Sequence, residues 1–173
     1  MISQQLSLLA KGNTQRHLRI GKIGLEKESL RTDAQANIAQ SDHPTALGAA
    51  LTHPFITTDY SEALLEFVTP PLANSSEALA FLDDIHHFVY PRIGTESLWP
   101  ASMPPRLSGE QSIRIAHYGS SNLGQMKEVY RRGLGYRYGK TMQVIAGIHV
   151  NLSIDEDFWP LWQTLKGDHS ERR

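Results

Sequence analysis

The stretch QVIAGIHVNLS, residues 143–153, decides the fold class because its side chains alternate along the chain. One set of alternate positions is apolar throughout: Val144, Ala146, Ile148, Val150 and Leu152. The other set is mostly polar, with Gln143, His149 and Asn151 as its main members. A period of two residues is typical of a β-strand, whose successive side chains point to opposite faces. The sequence therefore predicts a strand over residues 143–153 with one apolar face and one mostly polar face.

Two further strands are predicted nearer the N-terminus. Residues 19–31 read as an extended segment in which polar residues arrive at every second position. Residues 63–69 are rich in apolar and β-branched side chains and run into Pro70, which predicts a strand that ends there.

Two helices are predicted between these strands and the 143–153 stretch. Apolar residues at three- and four-residue spacing predict a helix over residues 75–93, with Asn74 and Glu77 as a capping pair. A second helix is predicted over residues 121–134, with several side chains available for packing, namely Leu123, Met126, Val129, Tyr130 and Leu134.

The composition excludes several classes of protein. The chain has 173 residues, with 17 Lys and Arg against 18 Asp and Glu, so it lacks the positive charge of a typical nucleic-acid or membrane-surface binder. It contains no cysteine, which excludes a disulfide scaffold and a cysteine nucleophile. No apolar run approaches the ~20 residues of a membrane span, and the N-terminus does not resemble a signal peptide. We therefore expect a cytoplasmic protein forming one domain over residues 1–173 without an internal boundary.

Glu26 and Glu28 form a first candidate site. Because they are two residues apart in an extended segment, their side chains leave the same face of a strand. Two neighbouring carboxylates repel each other unless something positive lies between them. The pair belongs either to a solvated strand face beside Lys22 and Lys27 or to a site for a divalent cation, which prefers carboxylate oxygens.

Glu66 strengthens the second interpretation. It lies among Leu65, Phe67 and other apolar residues of a predicted strand, so its carboxylate is predicted to be buried. A buried carboxylate without a partner is costly, so Glu66 is expected to pair with an arginine, bind a metal or contact a ligand. Asp59 lies just before this strand and is either a member of the same site or a turn or cap residue.

His149 lies in the middle of the polar face of the 143–153 strand, beside Gln143 and Asn151. A single histidine is more often a satisfied structural residue than a metal ligand. A row of polar groups in mid-strand is nevertheless expensive unless it lines a cleft. The pattern therefore favours a cleft with His149 as a candidate metal ligand.

Several sequence blocks occur together in a characteristic order. They are GLEKESLR (24–31), ITTDYSEALLEFVTP (56–70), WPASMP (99–104), YGSSN (118–122), YRRGL (130–134) and the 143–153 stretch. In this combination the chain, over about residues 15–160, closely resembles the N-terminal part of bacterial glutamate–cysteine ligase (γ-glutamylcysteine synthetase).

The resemblance implies an α+β fold, namely the N-terminal portion of a glutamine-synthetase-like catalytic domain. Such a domain has an antiparallel β-sheet with flanking helices, and in this chain the sheet is expected to be incomplete. The implied reaction is the ATP- and Mg²⁺-dependent ligation of L-glutamate to L-cysteine through a γ-glutamyl phosphate, the first step of glutathione biosynthesis. Divalent cations are needed because a triphosphate and two carboxylate-bearing substrates must meet.

The resemblance also assigns roles to individual residues. The implied metal ligands are Glu26, Glu28, Asp59, Glu66 and His149. Of these, Glu26 and Glu66 are the candidate catalytic residues. The implied substrate-binding residues are Gln143, Ile145 and Asn151 for glutamate, with Tyr130 and Leu134 for the cysteine side chain.

Three alternatives remain open at this stage. The chain could act as a non-catalytic fragment that binds Mg²⁺ or glutamate, or as one subunit of a split enzyme whose partner is the C-terminal part of the family pattern. It could also belong to a related amino-acid ligase, because the implied cysteine pocket is only partly present.

Overall fold

A computed structural model describes residues 2–10 and 13–166 of the chain. Its longest strand, β1 (Gly21–Thr32), lies inside an antiparallel sheet. The other strands are β2 (Ile56–Thr57), β3 (Leu64–Val68), β4 (Ser97–Leu98) and β5 (Ile148–Ile154). The α-helices are α1 (Ile2–Leu9), α2 (Asn13–Leu18), α3 (Ser75–Val89), α4 (Asn122–Tyr138) and α5 (Phe158–Lys166). The predicted antiparallel sheet with flanking helices is confirmed.

The two edges of β1 pair with β3 and β5, and this register determines which side chains meet. On one face of the sheet the register places three pairs directly opposite each other: Glu28 with Glu66, Glu26 with His149, and Gly24 with Asn151. Strand β2 extends the sheet beyond β3, and β4 pairs with the C-terminal end of β1.

Helix α3 covers the other face of β1 and β3. Its apolar residues recur on one side and form a core with Leu25, Leu65 and Phe67 of the strands, contributing Ala78, Leu82, Ile85 and Val89. The predicted capping pair is confirmed, since the Asn74 side chain accepts a hydrogen bond from the backbone N–H of Glu77 and donates one to its carboxylate. This cap satisfies an N–H that the helix itself leaves unpaired.

A second core lies on the same face as the Glu28–Glu66 pair. Leu30 and Leu64 are the next pair along these two strands, and both are buried there, packed with residues that include Tyr60, Ile113 and Val144. The carboxylates of Glu28 and Glu66 therefore emerge at the border of an apolar cluster.

The predicted strand over 143–153 is wrong in its first half. Residues Thr141–Val144 form a 3₁₀ turn, and β5 begins only at Ile148. The apolar residues of the first half, Val144 and Ala146, are both buried, Val144 in the second core. Their alternation comes from this packing rather than from an extended backbone.

The apolar sides of β5 and α4 are more exposed than predicted. On β5, Ile148, Val150 and Leu152 face the same side as the α3 core but are exposed, Val150 by 58%. On α4, four of the residues expected to pack are exposed, namely Leu123, Met126, Val129 and Tyr130. The side of α4 that approaches the protein is formed by Gly124, Arg131 and Gly135, together with Leu134, which packs against the second core as predicted.

None of the helices in the described ranges 2–10 and 13–166 is long and apolar enough to cross a membrane.

Candidate active site: a carboxylate cluster on one face of the sheet

Glu28 and Glu66 form the centre of the candidate site. They lie directly opposite each other on β1 and β3, and both side chains are partly buried beside the second core. Burial, followed by the negative charges of Asp59, Glu28 and Glu26, raises the pKa of Glu66 to about 7. Burial also raises the pKa of Glu28, although the backbone N–H of Gly147 opposes this by donating a 2.7 Å hydrogen bond to Oε2.

The arginine partner considered for Glu66 is not found among the described residues. Arg31, the buried arginine on β1, instead contacts Glu96 at 2.6 Å and donates to the carbonyl oxygen of Glu62. Within the described stretches, no lysine, arginine or histidine forms an ion pair with Glu66. Its pKa is therefore raised mainly by burial and further by the neighbouring negative charges of Asp59, Glu28 and Glu26.

Glu26 extends the cluster along β1 towards β5. Its Oε1 accepts a 2.7 Å hydrogen bond from the Asn151 amide, and its Oε2 lies 3.2 Å from Nδ1 of His149. Glu26, His149 and Asn151 are therefore in contact on one face of the sheet. His149 therefore has the hydrogen-bond partner expected of a structural histidine, and its side chain is 61% exposed.

Asp59 approaches the cluster from the loop between β2 and β3. Its charge is one of the causes that raise the pKa of both Glu28 and Glu66. Its carboxylate is held by Arg131 of α4, whose Nη2 donates to Oδ1 at 2.8 Å. Arg131 could not be predicted as a site residue, because nothing in the sequence pattern distinguishes it from the adjacent and exposed Arg132.

The remaining predicted residues lie at the margins of this cluster. Gln143 and Ile145 precede β5 on the segment that leads to Gly147, whose N–H contacts Glu28. Tyr130 and Leu134 lie one turn apart on α4, where Tyr130 is 62% exposed and Leu134 packs against the second core. Arg131, which contacts Asp59, is the residue that connects α4 to the cluster.

The donor set suits a hard divalent cation, since carboxylate oxygens are the ligands that Mg²⁺ prefers. Burial and the neighbouring negative charges together disfavour the ionised form of Glu66 and raise its pKa. In residues 2–10 and 13–166, however, no three side chains of His, Asp or Glu lie close enough together to hold a metal ion. The chemistry of the residues fits such an ion, and Glu26, Glu28 and Glu66 are those that share one sheet face.

Comparison with known proteins identifies the family. The glutamate-cysteine ligase family model matches residues 6–173. The chain belongs to the glutamate–cysteine ligase family. It is 52% identical to a glutamate–cysteine ligase of Azotobacter vinelandii over 168 residues, which is 97% of this chain and 32% of that protein. It is 60% identical to the Hahella chejuensis enzyme of the same name over 143 residues, or 82% of this chain and 27% of that protein.

Solved structures of two ligases resemble the fold. One is the glutamate–cysteine ligase of Francisella tularensis in complex with AMP, with a TM-score of 0.82 and 41% identity over 86% of this chain. The other is a bifunctional glutathione synthetase of Pasteurella multocida, with a TM-score of 0.80 and 32% identity over 98% of this chain. The match covers 30% and 21% of those chains, so this chain spans about a third or less of the length of its relatives.

Proposed function

We propose that this chain supplies the carboxylate cluster of an ATP- and Mg²⁺-dependent glutamate–cysteine ligase. The observation that carries the proposal is the cross-strand pair of Glu28 and Glu66 with Glu26 on the same face. Three carboxylates at the edge of an apolar core, one with its pKa raised to about 7, are costly for folding and are typical of a functional site. Membership of the ligase family supplies the reaction to which such a site belongs.

Glu26, Glu28 and Glu66 are the residues proposed to hold Mg²⁺, with Asp59 and His149 beside them. When bound, the cation would neutralise phosphate charge and polarise the reacting phosphoryl group. Glu26 and Glu66 are proposed as catalytic residues because the family resemblance assigns them this role and both lie on the sheet face that carries Glu28. His149 and Asn151 fix the Glu26 carboxylate through contacts of 3.2 and 2.7 Å, so it is orientated before any ligand arrives.

The proposed reaction has two steps. An oxygen of the γ-carboxylate of L-glutamate attacks the γ-phosphorus of ATP, and ADP leaves. The amine nitrogen of L-cysteine then attacks the acyl carbon of the γ-glutamyl phosphate, phosphate leaves with the bonding electron pair, and the amine loses a proton to solvent or base. The AMP complex of the Francisella relative supports the use of an adenine nucleotide.

The substrate-binding residues are proposed from their positions around the cluster. Gln143, Ile145 and Asn151 would contact glutamate, because they lie on β5 or on the segment that leads into it. Tyr130 and Leu134 would contact the cysteine side chain from α4, which the Arg131–Asp59 contact holds against the acidic cluster. The complementary partner would be the part of the family sequence that this chain does not cover.

A chimera tests the proposal. This chain replaces the matched segment of the Azotobacter vinelandii enzyme, and formation of γ-glutamylcysteine and ADP is measured with Mg²⁺. We expect activity in the chimera and a loss of about 100-fold or more for Glu66→Gln, which removes a charge while preserving shape. Glu156→Gln, at an exposed position outside the cluster, should retain normal activity. Normal turnover by Glu66→Gln at ordinary Mg²⁺ would reject Glu66 as a catalytic residue.

A second candidate function is a non-catalytic module or split-enzyme subunit that binds Mg²⁺ or glutamate through the same carboxylate cluster. The chain assayed alone distinguishes the two, because a module would bind Mg²⁺ or glutamate without releasing ADP. Mixing it with the uncovered part of a relative would restore turnover for a split-enzyme subunit. A panel of amines in the same assays separates a cysteine ligase from a related amino-acid ligase.

A further inference from the structure

Arg131 is one of the few charged side chains that the fold buries. It lies in the middle of α4, is only 8% exposed and has a hydrogen-bond acceptor for each of its nitrogens. Its Nε donates to the backbone carbonyl of Asp59, its Nη2 donates to the Asp59 carboxylate at 2.8 Å, and its Nη1 donates to the carbonyl of Lys127 at 3.2 Å. Burying a guanidinium is expensive, so this set of contacts requires an explanation.

The contacts fix one loop residue in two ways at once. Two nitrogens of the Arg131 guanidinium, Nε and Nη2, donate to the main-chain carbonyl and to the carboxylate of Asp59. A planar guanidinium can make both contacts at once, whereas an ammonium cannot. The Arg131 guanidinium also lies 4.8 Å from the ring centre of Tyr118, whose hydroxyl is 3.0 Å from the same Asp59 carbonyl. Only Oδ1 of Asp59 is engaged by Arg131, and its charge still acts on Glu28 and Glu66.

We propose that Arg131 is a positioning residue that orientates the Asp59 carboxylate towards the Glu28–Glu66 pair and, in doing so, couples helix α4 to the cation site. This inference rests on the proposed function, because it takes the carboxylate cluster as a site for a divalent cation. Since Tyr130 and Leu134 are on the same helix, Arg131 links the proposed cysteine pocket to the proposed metal ligands.

The sign of the charge makes the role testable. A positive guanidinium near a cation site repels the cation, so loss of charge alone should strengthen cation binding. Loss of positioning should weaken it, because partners that orientate metal ligands typically contribute about 10- to 100-fold to metal affinity. The two roles of Arg131 therefore predict changes of opposite direction.

Binding of Mn²⁺ to the purified chain, measured from the electron paramagnetic resonance signal of free Mn²⁺, tests the proposal. We expect Arg131→Met to weaken Mn²⁺ affinity about tenfold. Arg131→Lys should also weaken it, because one ammonium cannot reproduce both contacts to Asp59. Arg132→Met is the matched control: it removes the same charge from the next residue, whose guanidinium pairs with Glu128 instead, and should leave affinity unchanged or slightly stronger.

A double-mutant cycle separates positioning from general destabilisation. If Arg131 acts through Asp59, Arg131→Met should cause no further loss of affinity in an Asp59→Asn background. Additive losses, or tighter Mn²⁺ binding by Arg131→Met, would overturn the proposal. Urea unfolding establishes whether each variant folds. If Arg131→Met does not fold, the Mn²⁺ affinity of Arg131→Lys decides the question.

The same measurements distinguish failure of this inference from failure of the proposed function. If Glu66→Gln and Asp59→Asn leave Mn²⁺ affinity unchanged, the carboxylate cluster is not a cation site and both proposals are wrong. If these two variants weaken binding while Arg131→Met and Arg131→Lys do not, the cation site stands and only the positioning role is rejected.

Discussion

Glu28 and Glu66 face each other across two antiparallel strands, and neither forms an ion pair with a lysine, arginine or histidine among the described residues. Like charges placed directly opposite each other destabilise a sheet, and these two lie beside a buried apolar pair, Leu30 and Leu64. The fold therefore carries an energetic cost at this position. That cost has a functional explanation if a divalent cation binds there, and it makes the stability of the free protein dependent on pH.

Replacing Glu66 with glutamine is expected to stabilise the free protein at pH 8. The pKa of Glu66 is raised to about 7, so the stability that this carboxyl contributes is fully present below its unfolded-state pKa and is lost as the pH rises through about 7. The whole shift corresponds to about 3 kcal/mol, and partial exposure of the side chain reduces the expected gain to about 1–2 kcal/mol. Urea unfolding at pH 5 and pH 8 measures this free energy.

Glu156→Gln is the control for this experiment, because Glu156 is exposed and lies outside the cluster. It should change the free energy of unfolding equally at the two pH values. A wild-type protein and a Glu66→Gln variant with the same pH dependence would show that Glu66 has no raised pKa in the folded chain.

Two glycines of α4 are expected to respond in opposite directions to alanine. A Cβ at Gly135 would lie 2.3 Å from the hydroxyl oxygen of Tyr60, a buried and rigid side chain, so Gly135→Ala should cost about 1–3 kcal/mol of stability. A Cβ at Gly133 meets no atom within 4 Å, so Gly133→Ala should stabilise the helix by about 0.5–1 kcal/mol. Thermal unfolding of the two variants compares them directly, and equal effects would show that α4 does not pack on Tyr60 as described.

Local patterns in the sequence were sufficient to predict several elements. The extended segment around Glu26 and Glu28, the strand containing Glu66 and helix α3 with its Asn74 cap all agree with the structure. These elements follow from short-range periodicity and capping, which depend on neighbouring residues. The same-face position of Glu26 and Glu28 also follows from the period of two.

The contacts that build the site depend on residues far apart in the sequence. The register that places Glu66 opposite Glu28 is determined by the packing of β1 on β3, which a single sequence does not reveal. Likewise, Arg131 meets Asp59 across 72 residues. The 3₁₀ turn before β5 was missed because burial of Val144 in a core produces the same apolar pattern as a strand.

The periodicity of the sequence also could not determine how exposed each apolar side chain is. The exposure seen in the structure predicts that two substitutions lower the free energy of unfolding by different amounts. Val150→Ala, on the apolar side of β5, should change stability by about 0.5 kcal/mol or less, because Val150 is 58% exposed and leaves no cavity. Leu65→Ala, at a fully buried position of β3, should cost about 2–5 kcal/mol. Urea unfolding measures both, and a large loss for Val150→Ala would show that β5 is covered in solution.

Divalent cations are expected to offset the loss of folding stability that repulsion within the carboxylate cluster causes. A ligand that binds only the folded state stabilises it by mass action, which amounts to about 1.4 kcal/mol at a tenfold excess over the dissociation constant. Mg²⁺ at pH 8 should therefore raise the unfolding temperature of the wild-type chain. It should have little effect on Glu28→Gln or Glu66→Gln, because each variant removes one carboxylate from the cross-strand pair.

The control for this prediction is KCl at the same ionic strength, since salt alone screens repulsion between carboxylates. Screening would stabilise the wild-type chain equally in KCl and MgCl₂, whereas a bound ion would add a further increase with Mg²⁺ only. Glu66→Gln is a second control that distinguishes screening from ion binding. Because this variant lacks the Glu28–Glu66 repulsion, neither salt should raise its unfolding temperature. An equal gain in both salts for the wild-type chain would mean that the cluster attracts counter-ions without binding one, and the proposed metal ligands would then be wrong.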